Sequence, residues 1–156
     1  MAIEVERKFL VEGDGWLPHV IRTEQLRQGY LSTGGGVTVR IRTINDAAAF
    51  ITIKGGGSAL ARAEFEYAIP IEDARQLLGY CNNQPILKRR HILNLPGGDW
   101  IVDAFEGRHL GLTLAEVELK PPFGALDLPK WLGREVTSDP HYYNSTLAAA
   151  PSGGEN

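Results

Sequence analysis

The chain is poor in the residues that mark several function classes. Cys81 is its only cysteine, so no intrachain disulfide can form. It closes the apolar run Leu77-Leu78-Gly79-Tyr80-Cys81, where a packing role is expected rather than a nucleophilic one. No apolar run approaches a membrane span. The N-terminus turns acidic at once, without the basic and apolar regions of a signal peptide, so the expected compartment is the cytoplasm. There is no excess of basic charge: 16 Lys and Arg stand against 19 Asp and Glu. A nucleic-acid partner is therefore not expected, and any anion site must come from local clustering. His19, His91, His109 and His141 are scattered and make no zinc motif.

What remains is an ordinary globular composition of 156 residues, 43% hydrophobic and 22% charged, enough for one domain with a sizeable core. A single domain over residues 1–149 and a flexible tail over 150–156 are expected.

Most of the chain alternates at period two, the mark of strands with one buried face. Strands are predicted at Ile3–Val11, Thr23–Leu31, Val37–Thr43, Ala49–Lys54, Arg62–Ile69, Ile86–Leu95, Trp100–Glu106 and Leu112–Lys120. Gly34-Gly35-Gly36, Asn45-Asp46, Gly55–Ser58 and Pro96–Asp99 supply turns between them. Gly34–Gly36 lacks the Gly-Lys-Ser/Thr and the following helix of a phosphate loop, so it reads as a hairpin connection. A short turn carrying a helix is expected at Trp16–Val20. Pro70, Glu72 and Asp73 start a helix from Ile71. Leu128–Gly133 predicts a short helix, and Tyr142–Ala150 a C-terminal helix with Asp139 as its N-cap.

One face of nearly every strand is apolar: Ile3, Val5, Phe9, Val37, Val39, Ile41, Ile51, Ile53, Phe65, Tyr67, Val102, Val117 and Leu119. The other is charged. Its acids are Glu4, Glu6, Glu64, Glu66, Asp103, Glu116 and Glu118; its bases are Lys8, Arg40, Arg42, Lys54, Lys88 and Arg90. Two architectures fit. A sandwich would turn the charges to bulk water. A closed barrel would turn them inward and leave the apolar face for helices to cover. The recurrent Glu-x-Glu pairs favour the barrel, since like charges side by side repel unless something lies between them. Arginine at two basic positions suits phosphate oxygens. A divalent ion together with a polyanion would compensate such a lumen, because Mg²⁺ or Mn²⁺ takes carboxylate and phosphate oxygens. The implied chemistry is metal-assisted phosphoryl transfer.

The ordered motifs Glu4-x-Glu6-x-Lys8, Arg40-x-Arg42, Thr52-x-Lys54, Glu64-x-Glu66, Lys88-x-Arg90, Asp103 and Glu116-x-Glu118 resemble those of the CYTH superfamily, the triphosphate tunnel metalloenzymes. Trp131–Thr137 and Asp139–Asn144 resemble the C-terminal segment of its short bacterial members, mostly inorganic triphosphatases. The resemblance spans Ile3 to about Leu147. It implies an α+β fold: an eight-stranded antiparallel closed β-barrel, a tunnel with charged lumen and helices packed outside. It implies Mg²⁺ or Mn²⁺ as cofactor and a small-molecule triphosphate as substrate, with neither nucleic acid nor membrane as partner and a monomer or homodimer as the assembly.

Within it, Lys8, Arg40, Arg42, Lys54, Lys88 and Arg90 are expected to bind phosphate. Lys8, Lys88 and Tyr30 are the expected catalytic groups, with Tyr30 either hydrogen-bonded to Lys88 or packed in the wall. Metal ligands are expected among Glu4, Glu6, Glu64, Glu66, Asp103, Glu116 and Glu118. Glu135 would neutralise a lumen base or stand on a surface helix. Alternatives in the same frame are a nucleotide or thiamine triphosphatase, a class IV-like adenylate cyclase, and a non-catalytic polyphosphate-binding module. Two positions depart from the family pattern. Ile101 stands where a Glu is frequent, which would remove one lumen acid, and His141 replaces a more usual Arg or Lys.

Overall fold

The computed structural model describes residues 2–58, 60–81, 83–121, 123 and 126–149; the expected tail over 150–156 lies outside them. The strands are β1 (Ala2–Val11), β2 (Val20–Ser32), β3 (Val37–Ile44), β4 (Ala48–Gly55), β5 (Ala61–Ala68), β6 (Ile86–Leu93), β7 (Gly98–Phe105), β8 (Thr113–Leu119) and β9 (Leu132–Glu135). Helix α1 covers Ile71–Gly79, and α2 covers Asn144–Ala149. Every pairing is antiparallel, in the order β5-β4-β3-β2-β6-β7-β8-β1, and a β5–β1 pairing closes the ring. The barrel expected from the charge pattern is present.

β1 serves two partners along one edge. Ala2–Val5 pair with β5, and β5 then diverges. Phe9–Val11 pair with β9 instead. This is why Leu128–Gly133 forms no helix. Pro129 offers no amide hydrogen to a helix, Trp131 is buried edge-on against Trp100, and the vacated edge of β1 takes the chain as a strand. The C-terminal segment also differs from expectation. Asp139 Oδ1 accepts the backbone N–H of His141 and caps a 3-10 turn over Pro140–Tyr142. Tyr143 is extended (φ −67°, ψ 136°), so α2 starts only at Asn144.

Two apolar clusters lie outside the ring and a third lies within one end of it. Phe9, Leu93, Trp100, Val102, Ala115 and Val117 form the outward face of β6, β7, β8 and β1, covered by Trp16 and Trp131. Ile41 and Ala49 lie under Ala74 and Leu78 of α1 on the outward face of β3 and β4. Gly29 admits α1 here: a Cβ would come within 2.8 Å of Cys81 Sγ. Cys81 thus packs, as expected. The third cluster is inward. Leu10, Ile86, Phe105 and Leu114 continue the charged rows of their strands toward one end of the barrel, where Leu147 and Ala148 of α2 close over them. α2 therefore caps an end rather than an outer face.

The heaviest packing stands on Trp100, 1% exposed, whose indole N–H bonds to Pro96 O at 2.9 Å. Trp100→Ala should cost about 3–5 kcal/mol in urea unfolding. Leu110→Ala, at a position 79% exposed, should shift stability by no more than about 0.5 kcal/mol.

Candidate active site

Alternation in a closed ring leaves the charged rows nowhere to go but inward. They enclose a cavity of about 590 Å³ lined by Glu4, Glu6, Lys8, Arg40, Arg42, Lys54, Glu64, Glu66, Arg90, Glu116 and Glu118, with Tyr30 in the wall. These come from β1, β2, β3, β4, β5, β6 and β8. Of the thirteen charged groups expected to share one lumen, only Lys88 and Asp103 do not line it.

Bases and acids are interleaved. Lys54 Nζ lies 2.7 Å from Glu4 and 3.7 Å from Glu64. Arg40 donates to Thr52 Oγ1 at 3.1 Å and stands 3.5 Å from Glu66, which also accepts the Thr52 hydroxyl at 2.7 Å. Arg42 Nε donates to Gln28 Oε1 at 2.9 Å. Arg40 Nε is buried and finds no acceptor among the described residues. A buried guanidinium donor without a partner is costly, and an oxyanion in the cavity would satisfy it.

Lys8 is held from behind. Its backbone N–H donates to Thr137 Oγ1, its carbonyl accepts from Val136 N–H, and β9 sets both contacts. Its ammonium donates to Tyr142 O at 3.0 Å and stands 3.8 Å from Glu116. The side chain is thus aimed into the lumen with one distant ionic partner, Glu116, among the described residues.

Lys88 and Asp103 point inward but lie deeper along the barrel, past the cavity and toward the end that α2 closes. Both are buried, and Lys88 Nζ lies 2.7 Å from Asp103 and 3.0 Å from Asn144 Oδ1. Asp103 also takes both nitrogens of a forked Arg90 at 2.8 Å each. Its two oxygens are occupied by protein donors, which leaves it poorly placed as a metal ligand. The Tyr30 hydroxyl lies 3.5 Å from Gln28 Nε2, and the hydrogen bonds of Lys88 go to Asp103 and Asn144 instead.

Glu135 neither neutralises a lumen base nor sits on a helix. It lies on β9 and forms a forked pair with Arg7 on the outside. Ile101 does line the cavity, opposite Glu116 in the β7–β8 register, so an apolar side chain occupies a lumen position. His141 is exposed and bonds to Asp139.

The sequence pattern did not single out several lining residues, Arg62, Asn144 and Tyr143 among them. Arg62 stands two residues before Glu64, a recognised position, so strict alternation could have found it. Asn144 carries no such signal, because only the turn before α2 brings it to the barrel.

The charge balance is uneven along the lumen. Burial, with Glu116 and Glu4 nearby, pushes the Glu6 carboxyl up to about 8. Burial and Glu4 raise Glu64 as well. Burial opposes ionisation of Glu116 too, yet Lys8 and Arg90 outweigh it and bring it down to about 2. Burial lowers Arg42, reinforced by Arg40 and Arg90. Burial drops Lys88 to about 7 against the pull of Asp103. Carboxylates that hold protons this strongly are short of positive charge. No three of them stand close enough to cage an ion among the described residues. The donor set therefore fits a hard divalent cation taking one or two carboxylates and completing its shell with phosphate oxygens.

A closed antiparallel ring with interleaved carboxylates and guanidiniums around a polar bore defines a tunnel protein built for a polyanion and a cation together. The chain belongs to the CYTH domain family, which it matches over residues 2–148. It is 38% identical over 152 residues to a curated inorganic triphosphatase from Acetivibrio thermocellus, with 97% of this chain and 96% of that protein covered. Its fold is similar to the crystal structure of the inorganic triphosphatase NE1496, with TM-score 0.68, 33% identity, and 98% and 99% of the two chains covered. A putative adenylate cyclase from Bacillus halodurans shares the fold at TM-score 0.52 and 17% identity, covering 76% of this chain and 82% of that one. Enzymes of the family are metal-dependent. No helix is long and apolar enough to cross a membrane among the described residues.

Glu6 makes stability depend on pH. An unfolded Glu titrates near 4.3, so between that value and about 8 the folded chain binds the extra proton and stability falls as pH rises. Lys88 acts oppositely, but only above about 7. Without divalent ions, unfolding free energy should drop by about 1–2 kcal/mol from pH 5 to pH 7. Glu6→Gln should flatten that slope in urea titrations at each pH.

Proposed function

We infer that this chain hydrolyses the terminal phosphate of a triphosphate, with inorganic tripolyphosphate as the preferred substrate. The observation that carries the reading is the interleaving of Lys8, Arg40, Arg42, Lys54 and Arg90 with six carboxylates around one cavity. Cations alone would serve a binding module. Acids beside them would only repel a polyphosphate unless a metal ion joins the two.

The proposed division of labour follows. Arg40, Arg42, Lys54 and Arg90 neutralise phosphate oxygens, and Arg40 Nε gains the acceptor it lacks. Asp103 fixes the plane of Arg90, and Lys88 neutralises Asp103; both act through Arg90 rather than on the phosphate. Lys8 offsets the charge that develops as the phosphorus–oxygen bond to the leaving diphosphate breaks and the bond to water forms. Glu4, Glu6, Glu64, Glu66, Glu116 and Glu118 are the residues that would hold Mg²⁺ or Mn²⁺. When bound, such an ion supplies positive charge at the phosphoryl oxygens and a more acidic water. Tyr30 stands in the wall as a hydroxyl donor to the same cavity.

Phosphate release should be measured for tripolyphosphate, ATP and thiamine triphosphate with Mg²⁺, Mn²⁺ or chelator. Tripolyphosphate should exceed ATP at least tenfold in kcat/KM, and chelator should abolish turnover. Lys8→Ala and Glu4→Ala should each lose at least a hundredfold in kcat with far-UV circular dichroism unchanged. Full turnover in both variants would refute these two roles. Cyclic AMP from ATP, seen by product chromatography, would replace hydrolysis with cyclisation.

A further inference from the structure

Gln28 is a wholly buried amide, 0% exposed, on the inward side of β2, and it does not line the cavity. The register sets it between Arg42 of β3 and Ile86 of β6. There the charged bore gives way to the apolar end under α2. A polar side chain at that depth costs free energy unless its groups are bonded. Its carbonyl oxygen accepts Arg42 Nε–H at 2.9 Å, and its Nε2 donates to the Tyr30 hydroxyl oxygen at 3.5 Å. Arg42 fixes which way the amide turns. A guanidinium has only donors, so the amide oxygen faces it and the amide nitrogen faces Tyr30. The phenol oxygen accepts from the amide, and its own proton remains for an acceptor in the cavity that Tyr30 lines.

Arg42 is held differently from the other lumen cations. Arg90 is forked onto Asp103, and Lys54 meets Glu4 and Glu64. Arg40 stands by Glu66, and Lys8 faces Glu116. Arg42 makes no ion pair among the described residues, and its side-chain bond goes to a neutral amide. It is buried, and burial together with the charges of Arg40 and Arg90 disfavours its own charge. Gln and Glu have the same length and shape. A carboxylate at this position would hold the guanidinium in the same place and cancel its charge. For structure alone that is the better partner, since a buried cation beside a neutral acceptor is left uncompensated. For capturing an anion the amide is better, because it gives direction and leaves the charge whole.

We propose that Gln28 is the positioning residue of Arg42: it aims the guanidinium at a phosphate group of the bound triphosphate without neutralising it, and it steadies the Tyr30 hydroxyl beside it. The inference rests on the triphosphatase reading above and adds a residue to it. Gln28 touches no phosphate and acts through Arg42. The Nε–H of Arg42 is taken up by the amide, and its two terminal nitrogens remain to fork phosphate oxygens. A guanidinium whose plane is already set loses less freedom when the anion arrives.

The test compares the full chain with its Gln28→Met and Gln28→Glu variants. Tripolyphosphate turnover is measured with Mg²⁺, and melting temperature is measured without ligand. Gln28→Met removes the acceptor and should raise KM by about tenfold or more, with kcat falling less than KM rises. Gln28→Glu pairs Arg42 internally. Its melting temperature should hold or rise while its KM climbs beyond that of Gln28→Met, opposite movements that a purely structural role does not give. An active wild type whose two variants keep KM within about threefold overturns the inference alone. So does a rise in KM that appears only in step with a lowered melting temperature in both variants. A wild type that does not hydrolyse tripolyphosphate overturns the functional reading, and this inference with it.

Discussion

Ionised groups of both signs share one narrow bore, and their mutual compensation is the constraint on which the structure rests. A lone buried charge would cost several kcal/mol. Here Lys54 sits between Glu4 and Glu64, and Arg90 and Lys88 converge on Asp103. The compensation is incomplete: Glu6 has no direct basic partner among the described residues, and Arg40 Nε has no acceptor. These gaps are of opposite sign. A substrate carrying negative oxygens together with a divalent cation would close both gaps.

The closed ring makes this possible. In an open sheet, the same side chains would find water and lose most of their mutual field. Closure excludes much of that water and forces acids and bases from seven strands into one volume. The outer surface then has to be managed separately. Trp16 and Trp131 cover one side and α1 another. β9 secures the strand that carries Lys8 by filling the edge β5 abandons. The placement of Lys8 in the lumen and the closure of the barrel thus meet on the same strand.

Much of the fold was legible in the sequence because period-two alternation is a local property. The eight barrel strands, the α1 start at Pro70 and the glycine turns all come from contiguous residues. The likeness to known tunnel enzymes then selected the barrel over the sandwich, a choice that alternation alone left open. Errors fell where local preference lost to long-range pairing. Leu128–Gly133 is expected to be helical, yet a free edge more than a hundred residues away takes its end, with Arg134 and Glu135, as a strand. Tyr142–Ala150 shortened because Asp139 caps a tighter turn first.

Sequence by itself determined which residues are charged, which face each takes relative to its neighbours, and hence that two opposed surfaces exist. Tertiary structure decided which of the charged groups reach the bore. Lys88 and Arg90 share a face and differ by two residues, yet Arg90 lines the cavity and Lys88 is sealed behind it by Asp103, Asn144 and the apolar end cluster. The physical reason is depth along the barrel axis: alternation sets direction, in or out, whereas depth depends on how the strands are staggered and where α2 closes the end. Neither is written in any one strand.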